Sequence, residues 1–523
     1  MYRDIAIALS LANLCFMKGW MYVYYYLSMD SQYHSQLPLN FNYYLAVILN
    51  VFLLASFLWI AITLVRRTNK QKLIKIARLA FIFTLTIPLN AFLPFSSFED
   101  SNNFTKILVT AFFIIIIIIT VRIHIKFKKH IMFLPVNIVL ILFPLLLFNL
   151  FQPALTFLKL DTSEFTDKPL AEAITVKEQT SNRILLIIFD EMDQRLTFED
   201  RPSDVTLPEL DLFRSQALYA NNAYPPAGET DLSLPSLITG KMVSKYKAVR
   251  PNDIMLTLSE DNQVSEWSTI PNIFSKAYEQ GVNTSLIGWY HPYGRVIGSS
   301  LTSSWWCPFE SYRQISFHEA MAHQIKQFIV YIPLLSHCEI LTQIFEDEDN
   351  EIKQKEHIKS YIEIMNKSMI DAVNTDLGLI LLHLPVPHPP GFYDSTKNDF
   401  SIMGGDYLDN LMLADRALSE LRHNMEISGA WESTTVIITS DHWLRSNNWS
   451  QIDHRVPFML KLAGQKEGLN YDQVFNTVLT HDLILALLKN ELSNSVDVLK
   501  WIDNNRLNWS IPDYNSIQSK KAS

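Results

Sequence analysis

The chain has 523 residues, about three times a typical single-domain length, with 48 % hydrophobic and only 19 % charged residues and a formal net charge of −9. That total hides an asymmetry: residues 1–160 hold 14 Lys+Arg against 4 Asp+Glu, a net of +10, leaving 30 against 49, a net of −19, for residues 161–523. A greasy, basic third ahead of an acidic remainder excludes a purely soluble or a disordered protein. It also argues against a nucleic-acid partner, because the large acidic part repels phosphate backbones.

Five stretches are long and apolar enough to cross a bilayer, which takes about 20 residues. They are Ile5–Leu27, Tyr43–Val65, Leu79–Phe98, Phe104–Val121 and Ile131–Phe151. The first contains Lys18, which is costly at mid-membrane unless it faces a partner. It lacks a small-residue cleavage site and reads as a retained helix rather than a signal peptide. The segments Arg66–Arg78 and Arg122–His130 are rich in Lys and Arg and hold no acid, whereas the alternate loops 29–42 and 99–106 carry one Lys and three acids. The basic loops are therefore expected on the cytoplasmic side, with everything after Phe151 outside. The expected organisation is a five-helix transmembrane domain over 1–151, a linker over 152–182 broken by Pro153 and Pro169, and an extracytoplasmic domain over 183–523.

Beyond Arg183, strand and helix patterns alternate. Ile184–Phe189, Thr284–Ile287, Leu377–Leu382 and Thr434–Thr439 are continuous apolar runs of the kind buried on both faces of a parallel sheet. Tyr407–Ser428 repeats apolar residues at helical spacing up to Gly429. The pattern predicts an α/β domain with a central, mostly parallel sheet. Ligands bind such sheets at the carboxyl ends of the strands. Those ends deliver Asp190-Glu191, then His383 and Pro387-His388-Pro389-Pro390, then Ser440-Asp441-His442. Carboxylates plus imidazole, with no thiolate, suit a divalent ion such as zinc or manganese, with calcium a further candidate. Upstream, a Pro- and Gly-rich turn leads into Thr230 and a short helix expected over Asp231–Ile238. A hydroxyl at a helix start sits where an anion is favoured. The alternative there is simple capping by Thr230 or Ser233. Trp289, Tyr290, Trp305 and Trp306 fit either a headgroup cleft or core packing.

Residues 183–490 resemble the sulfatase-type catalytic domain of the alkaline phosphatase superfamily. The matching pieces are Ile184–Glu191, Thr230-Asp-Leu-Ser233-Leu-Pro235-Ser-Leu-Ile-Thr-Gly240, Pro387-His388-Pro-Pro, Ser440-Asp441-His442 and Arg455-Val-Pro-Phe. With the preceding spans, the whole chain resembles membrane phosphoethanolamine transferases and lipoteichoic acid synthases. The resemblance implies Asp190, Glu191, Thr230, Asp441 and His442 as metal ligands and Thr230 as nucleophile, since Thr-x-x-Ser-x-Pro is the transferase pattern. It implies His388 as the histidine that helps the leaving group, and Ser233 and His454 as substrate contacts. Sulfatases that oxidise a Cys or Ser to formylglycine need Cys/Ser-x-Pro-x-Arg; here the stretch is Ser233-Leu-Pro-Ser-Leu237, without the Arg. Many transferases of this kind carry several disulfides. Here only Cys307 and Cys338 lie in the external part, enough for one bridge. The implied activity is transfer or hydrolysis of a phosphoester through a covalent threonine intermediate, on a lipid or envelope-polymer substrate at the inner membrane. A sulfuric or phosphoric ester hydrolase and a non-catalytic membrane scaffold are the alternatives.

Overall fold

The computed structural model describes residues 1–38, 40–68, 70–92, 133–175, 182–308, 315–332, 335, 339–402, 404–445 and 453–514. The chain divides into two compact units. One comprises Met1–Ser31, Leu39–Asp161 and Arg313–Asp349; the other comprises Gln32–Pro38, Thr162–Tyr312 and Asn350–Ser523. The seven residues Gln32–Pro38 thus belong to the second unit, although apolar helices flank them in sequence.

The first unit is helical. Asn42–Arg67 and Pro135–Lys159 are long and apolar enough to cross a membrane, and the pair Tyr2–Cys15 and Met17–Tyr26, bent by 59° at Phe16, makes up to a third span. The helix that reaches Lys159 runs on past the predicted end at Phe151, carrying Pro153 inside it. One proline removes a single ladder bond, which a long apolar helix can absorb. The helix Gln71–Phe92 starts inside the basic segment, ahead of the predicted span. The predicted span Phe104–Val121, the basic segment after it and Cys338 lie outside the described residues. Trp20, Val23, Val47, Val51, Leu146 and Ala320 form the centre of the packing. The Lys18 ammonium stands 5.3 Å over the Tyr331 ring, the kind of partner its position called for. Asn149 donates to Asn13 at 3.2 Å and Asn50 to Gln324 at 3.0 Å, so these amides are paired with one another among the apolar side chains.

The second unit is an α/β domain around a mixed sheet. Its strands are β1 (Arg183–Asp190), β2 (Leu218–Tyr224), β3 (Thr284–Tyr290), β4 (Ser303–Pro308), β5 (Leu379–Pro387), β6 (Thr434–Ser440), β7 (Val456–Lys461), β8 (Leu469–Tyr471) and β9 (Phe475–Asn476). Their order is β8-β2-β7-β6-β1-β5-β3-β4, with β9 also paired to β2. The run β6-β1-β5-β3-β4 is parallel. The strand β7 is antiparallel to both its neighbours, so the sheet is mixed rather than uniform. Every residue of β1 is buried. Ile184, Leu186 and Ile188 enter one core with Leu234, Ile238 and Phe274, while Leu185, Ile187 and Phe189 enter the other with Leu411, Ala414 and Leu418. This alternation is what an unbroken apolar strand with helices on both faces requires.

Register then fixes the functional edge. Phe189 pairs with Ser440 and Asp190 with Pro387, so β1, β6 and β5 end together. The strand β5 runs five residues past the predicted Leu382. Pro385 and Pro387 lie in this extension, where the register shifts between Phe189 and Asp190, the kind of irregularity at which prolines are housed in a strand. The helix Tyr407–Ile427 matches its predicted span and begins with a capping box, Asp406 accepting from Leu408 and Asp409.

Candidate metal centre

Two strand ends and one helix start converge. Asp190, Asp441 and His442 are buried, and one ligand atom from each lies within 4.8 Å of the others. Both Asp190 carboxylate oxygens are buried and accept no hydrogen bond among the described residues. Their nearest basic neighbours are the imidazoles of His383, Nε2 at 3.4 Å, and His442, Nε2 at 3.9 Å. A fully buried, unsatisfied carboxylate is costly and calls for a positive partner. Burial works against its charge, yet the imidazoles of His388, His383 and His442 hold its carboxyl below the usual range. Asp441 is pushed the other way, first by burial and then by the charge of Asp190. Two carboxylates facing each other in a dry pocket need a cation to coexist ionised.

Hydrogen bonding orients the remaining ligands. The His442 Nδ1 faces the Trp443 carbonyl at 3.0 Å. A carbonyl only accepts, so Nδ1 carries the proton. The Nε2 lone pair of the neutral ring is thereby turned toward Asp441 Oδ2 at 3.4 Å and Thr230 Oγ1 at 3.3 Å. This is how ligating imidazoles are held in metal sites. Asp441 Oδ1 accepts from its neighbour's N–H at 2.8 Å and from Glu191 N–H at 3.2 Å. The Ser440 hydroxyl donates to the Phe189 carbonyl and accepts from Met192 N–H, both at 2.8 Å, tying the ends of β6 and β1 together.

Thr230 opens the helix Thr230–Thr239, and its hydroxyl donates to Asp441 Oδ2 at 2.8 Å. The turn before it is tight. A Cβ at Gly228 would lie 2.4 Å from the Trp443 ring, so only glycine lets this loop pass. Ser233, by contrast, is spent on the same turn: its hydroxyl donates to the Ala227 carbonyl at 2.9 Å and accepts its N–H at 3.1 Å.

The sequence-predicted residues therefore separate. Asp190, Thr230, Asp441 and His442 come together. Glu191 follows Asp190 with a left-handed backbone, φ 61°, and its carboxylate accepts from Arg445 Nε at 2.6 Å, standing 4.0 Å from His442 Nδ1. That backbone turn directs the two acids differently, and Tyr407 holds it by donating to the Glu191 carbonyl at 2.8 Å. His388 packs edge-on to Trp289, ring centroids 5.2 Å apart. His454 lies against Trp443 at 4.4 Å and Tyr514 at 4.9 Å, where burial lowers its pKa. Trp289 and Trp306 are buried in the fold rather than lining an open cleft. His383, Tyr407 and Arg445 were given no role from sequence. His383 stood at a strand end but in fact lies within β5, and Tyr407 and Arg445 carry no local signal.

A carboxylate without hydrogen bonds, a second carboxylate and an imidazole with its lone pair turned inward form a donor set that fits a divalent ion. Fold and site together define a class: a sulfatase-like α/β domain with a candidate metal centre at the carboxyl edge of its parallel strands. The family described as Sulfatase matches residues 182–489, more than half of the chain, and the chain belongs to the sulfatase family. No curated protein matches it. Solved structures to which it is similar include the crystal structure of Ps i-CgsB (15 % identity, 61 % of this chain, 74 % of that one, TM-score 0.41). They also include the PsFucS1 sulfatase from Pseudoalteromonas sp. (15 %, 63 %, 75 %, 0.41) and the phosphonate monoester hydrolase of Agrobacterium radiobacter (12 %, 59 %, 74 %, 0.36).

Proposed function

We propose that this chain is a membrane-anchored, divalent-metal-dependent enzyme that moves a phosphoester group, of phosphoethanolamine or phosphoglycerol type, through a covalent intermediate on Thr230. The observation that carries the reading is the Thr230 hydroxyl, set 2.8 Å from Asp441 and 3.3 Å from the inward lone pair of His442, beside the unsatisfied Asp190. Asp190, Asp441 and His442 would hold the ion, with Thr230 beside them. When bound, a divalent ion supplies Lewis-acid stabilisation of phosphoryl charge and lowers the pKa of a nearby hydroxyl.

The chain's own residues then divide the work. Thr230 Oγ1 forms the bond to phosphorus while its proton passes toward the carboxylate it already faces, Asp441 Oδ2. The phosphorus–oxygen bond to the leaving group breaks as His388 delivers a proton to the departing oxygen. The first-turn N–H groups of the Thr230–Thr239 helix favour the substrate anion. An acceptor hydroxyl or water then attacks phosphorus and releases Thr230. Ser233, locked onto Ala227, and Leu237 in place of the arginine both weigh against formylglycine chemistry. The two or three apolar helices among the described residues and the basic segment Arg66–Arg78 support anchoring at the inner membrane with the α/β unit outside the cytoplasm, where the substrate is a lipid or an envelope polymer.

Mass spectrometry of the Thr230 peptide, from protein extracted rapidly from its native membrane, tests this. A phosphoethanolamine, phosphoglycerol or bare phosphate adduct on Thr230 is expected. An adduct on Ser233, or formylglycine there, overturns it.

A further inference from the structure

A second cluster of ligand-type side chains lies within the same unit and outside the reaction described above. His34, Asp231 and His291 are all buried, and one ligand atom from each lies within 4.8 Å of the others. Asp231 follows Thr230 directly, but its side chain meets a different set of partners. Its Oδ1 is 3.1 Å from His34 Nε2, and its Oδ2 accepts from the Tyr290 hydroxyl at 2.9 Å.

The orientation of His291 can be read from its neighbours. Its Nε2 faces the Thr230 carbonyl at 3.3 Å, and a carbonyl only accepts, so Nε2 bears the proton. The lone pair is left on Nδ1, which the Tyr33 hydroxyl approaches at 3.0 Å. An imidazole fixed by N–H···O=C on one nitrogen, with its lone pair on the other, is prepared for ligation. Asp231 is prepared in the same sense, with one oxygen anchored by Tyr290 and the other turned to the cluster. Ligands about 2.0–2.1 Å from a tetrahedral zinc stand roughly 3.3 Å apart, so the ion enters when the 3.1 Å contact widens by a few tenths of an ångström and the Tyr33 hydroxyl gives up its hydrogen bond to Nδ1.

Charge points the same way. Asp231 forms no ion pair with Lys or Arg among the described residues; its one ion-pair partner there is His34. A buried carboxylate between imidazoles needs a cation nearby.

From this geometry we propose that His34, Asp231 and His291 form a second divalent-metal site, of zinc class, with Tyr33 at its open side. Two imidazoles and one carboxylate are a donor set zinc takes readily. Its role is structural: it fixes the first turn of the Thr230 helix through Asp231 and through the Thr230 carbonyl behind His291. It also makes residues 32–38 part of the catalytic unit.

The test is zinc content per chain, measured by mass spectrometry on the full chain purified in detergent and dialysed against buffered zinc. The variants are His34→Gln, Asp190→Asn and the two combined. The amide of His34→Gln keeps an N–H donor toward Asp231 but is a poor zinc ligand, so a role in hydrogen bonding alone leaves the zinc count unchanged. The proposal expects His34→Gln to lose one equivalent that Asp190→Asn retains. A folded His34→Cys variant loaded with cobalt is expected to show a thiolate-to-cobalt absorption band in the near ultraviolet. An unchanged zinc count in His34→Gln, or no such band in folded His34→Cys, overturns it. Loss of zinc in His34→Gln without loss in Asp190→Asn keeps this site and rejects the Asp190 centre instead.

Discussion

Replacing Thr230 by valine removes one hydroxyl at nearly constant shape. Two effects follow from the geometry. The hydroxyl is the donor to Asp441 Oδ2 at 2.8 Å in a fully buried setting. Losing it leaves a carboxylate oxygen short of a partner, a cost of about 1–3 kcal/mol. At about 2 °C per kcal/mol for a large domain, Tm falls by roughly 2–6 °C. Valine and threonine differ little in helix propensity, so that term adds almost nothing. The effect on chemistry is of a different order. Removing a nucleophile that acts together with its neighbours typically costs about 10⁴–10⁶-fold in kcat. The assay is release of p-nitrophenol from a chromogenic phosphodiester by the detergent-purified chain with zinc or manganese, paired with a thermal melt. Thr230→Ser should keep measurable turnover. A Thr230→Val enzyme that melts as expected but retains more than about a tenth of wild-type turnover would refute Thr230 as nucleophile.

Three further outcomes follow from other parts of the structure. Saturating zinc or manganese, at about 100 times Kd, should stabilise the chelated wild type by roughly 2.7 kcal/mol per site, and Asp190→Asn should lose the share due to its centre in the same melt. Arg183 is buried at the start of β1 and donates to the carbonyls of Leu377, Asp371, Ala372 and Asn374 and to the Thr434 hydroxyl. Arg183→Met should lower stability by about 3–5 kcal/mol, read as a shift of the urea midpoint, because several buried acceptors lose their donor at once. Burial, opposed by the backbone N–H groups of Leu210 and Glu209, raises the Asp415 pKa to about 6. The folded state then holds this proton where the unfolded state has released it. Stability from this group is full below pH 4 and falls by roughly 2–3 kcal/mol as pH rises to 6. Asp415→Asn should flatten that slope in melts run across the same range.

Much of the α/β unit was legible because its signals are local. Ile184–Phe189 and Thr434–Thr439 are apolar runs too short for helices and rich in β-branched residues, and each ends on an acid one or two residues later. What was not legible depends on contacts between distant segments. The antiparallel placement of β7 follows from pairing with β2, more than 200 residues away, as Phe458 on Ala220. The division between Asp190 and Glu191 follows from the left-handed turn at Glu191, held by Tyr407 and Arg445 from other elements. Nothing in the spacing of Asp-Glu states which acid turns inward. The pairing of His34 with Asp231 spans 197 positions, and no periodicity announces it.

That last contact has a consequence for how the protein is made. Residues 32–38 emerge from the ribosome between two apolar helices, long before their partners exist. Tyr33 waits 258 residues for His291, and the Ser35 carbonyl waits 260 for the Arg295 guanidinium that donates to it. Residues 313–349, which belong to the helical unit, are then translated inside the α/β unit. Neither unit can be completed in one pass of synthesis, and each is left unfinished while part of the other is made. The two halves of this polypeptide are therefore not modules that a single cut would separate. A fragment starting at Thr162 would carry the candidate metal centre at the edge of the sheet but lack the first-made strip of the unit it belongs to.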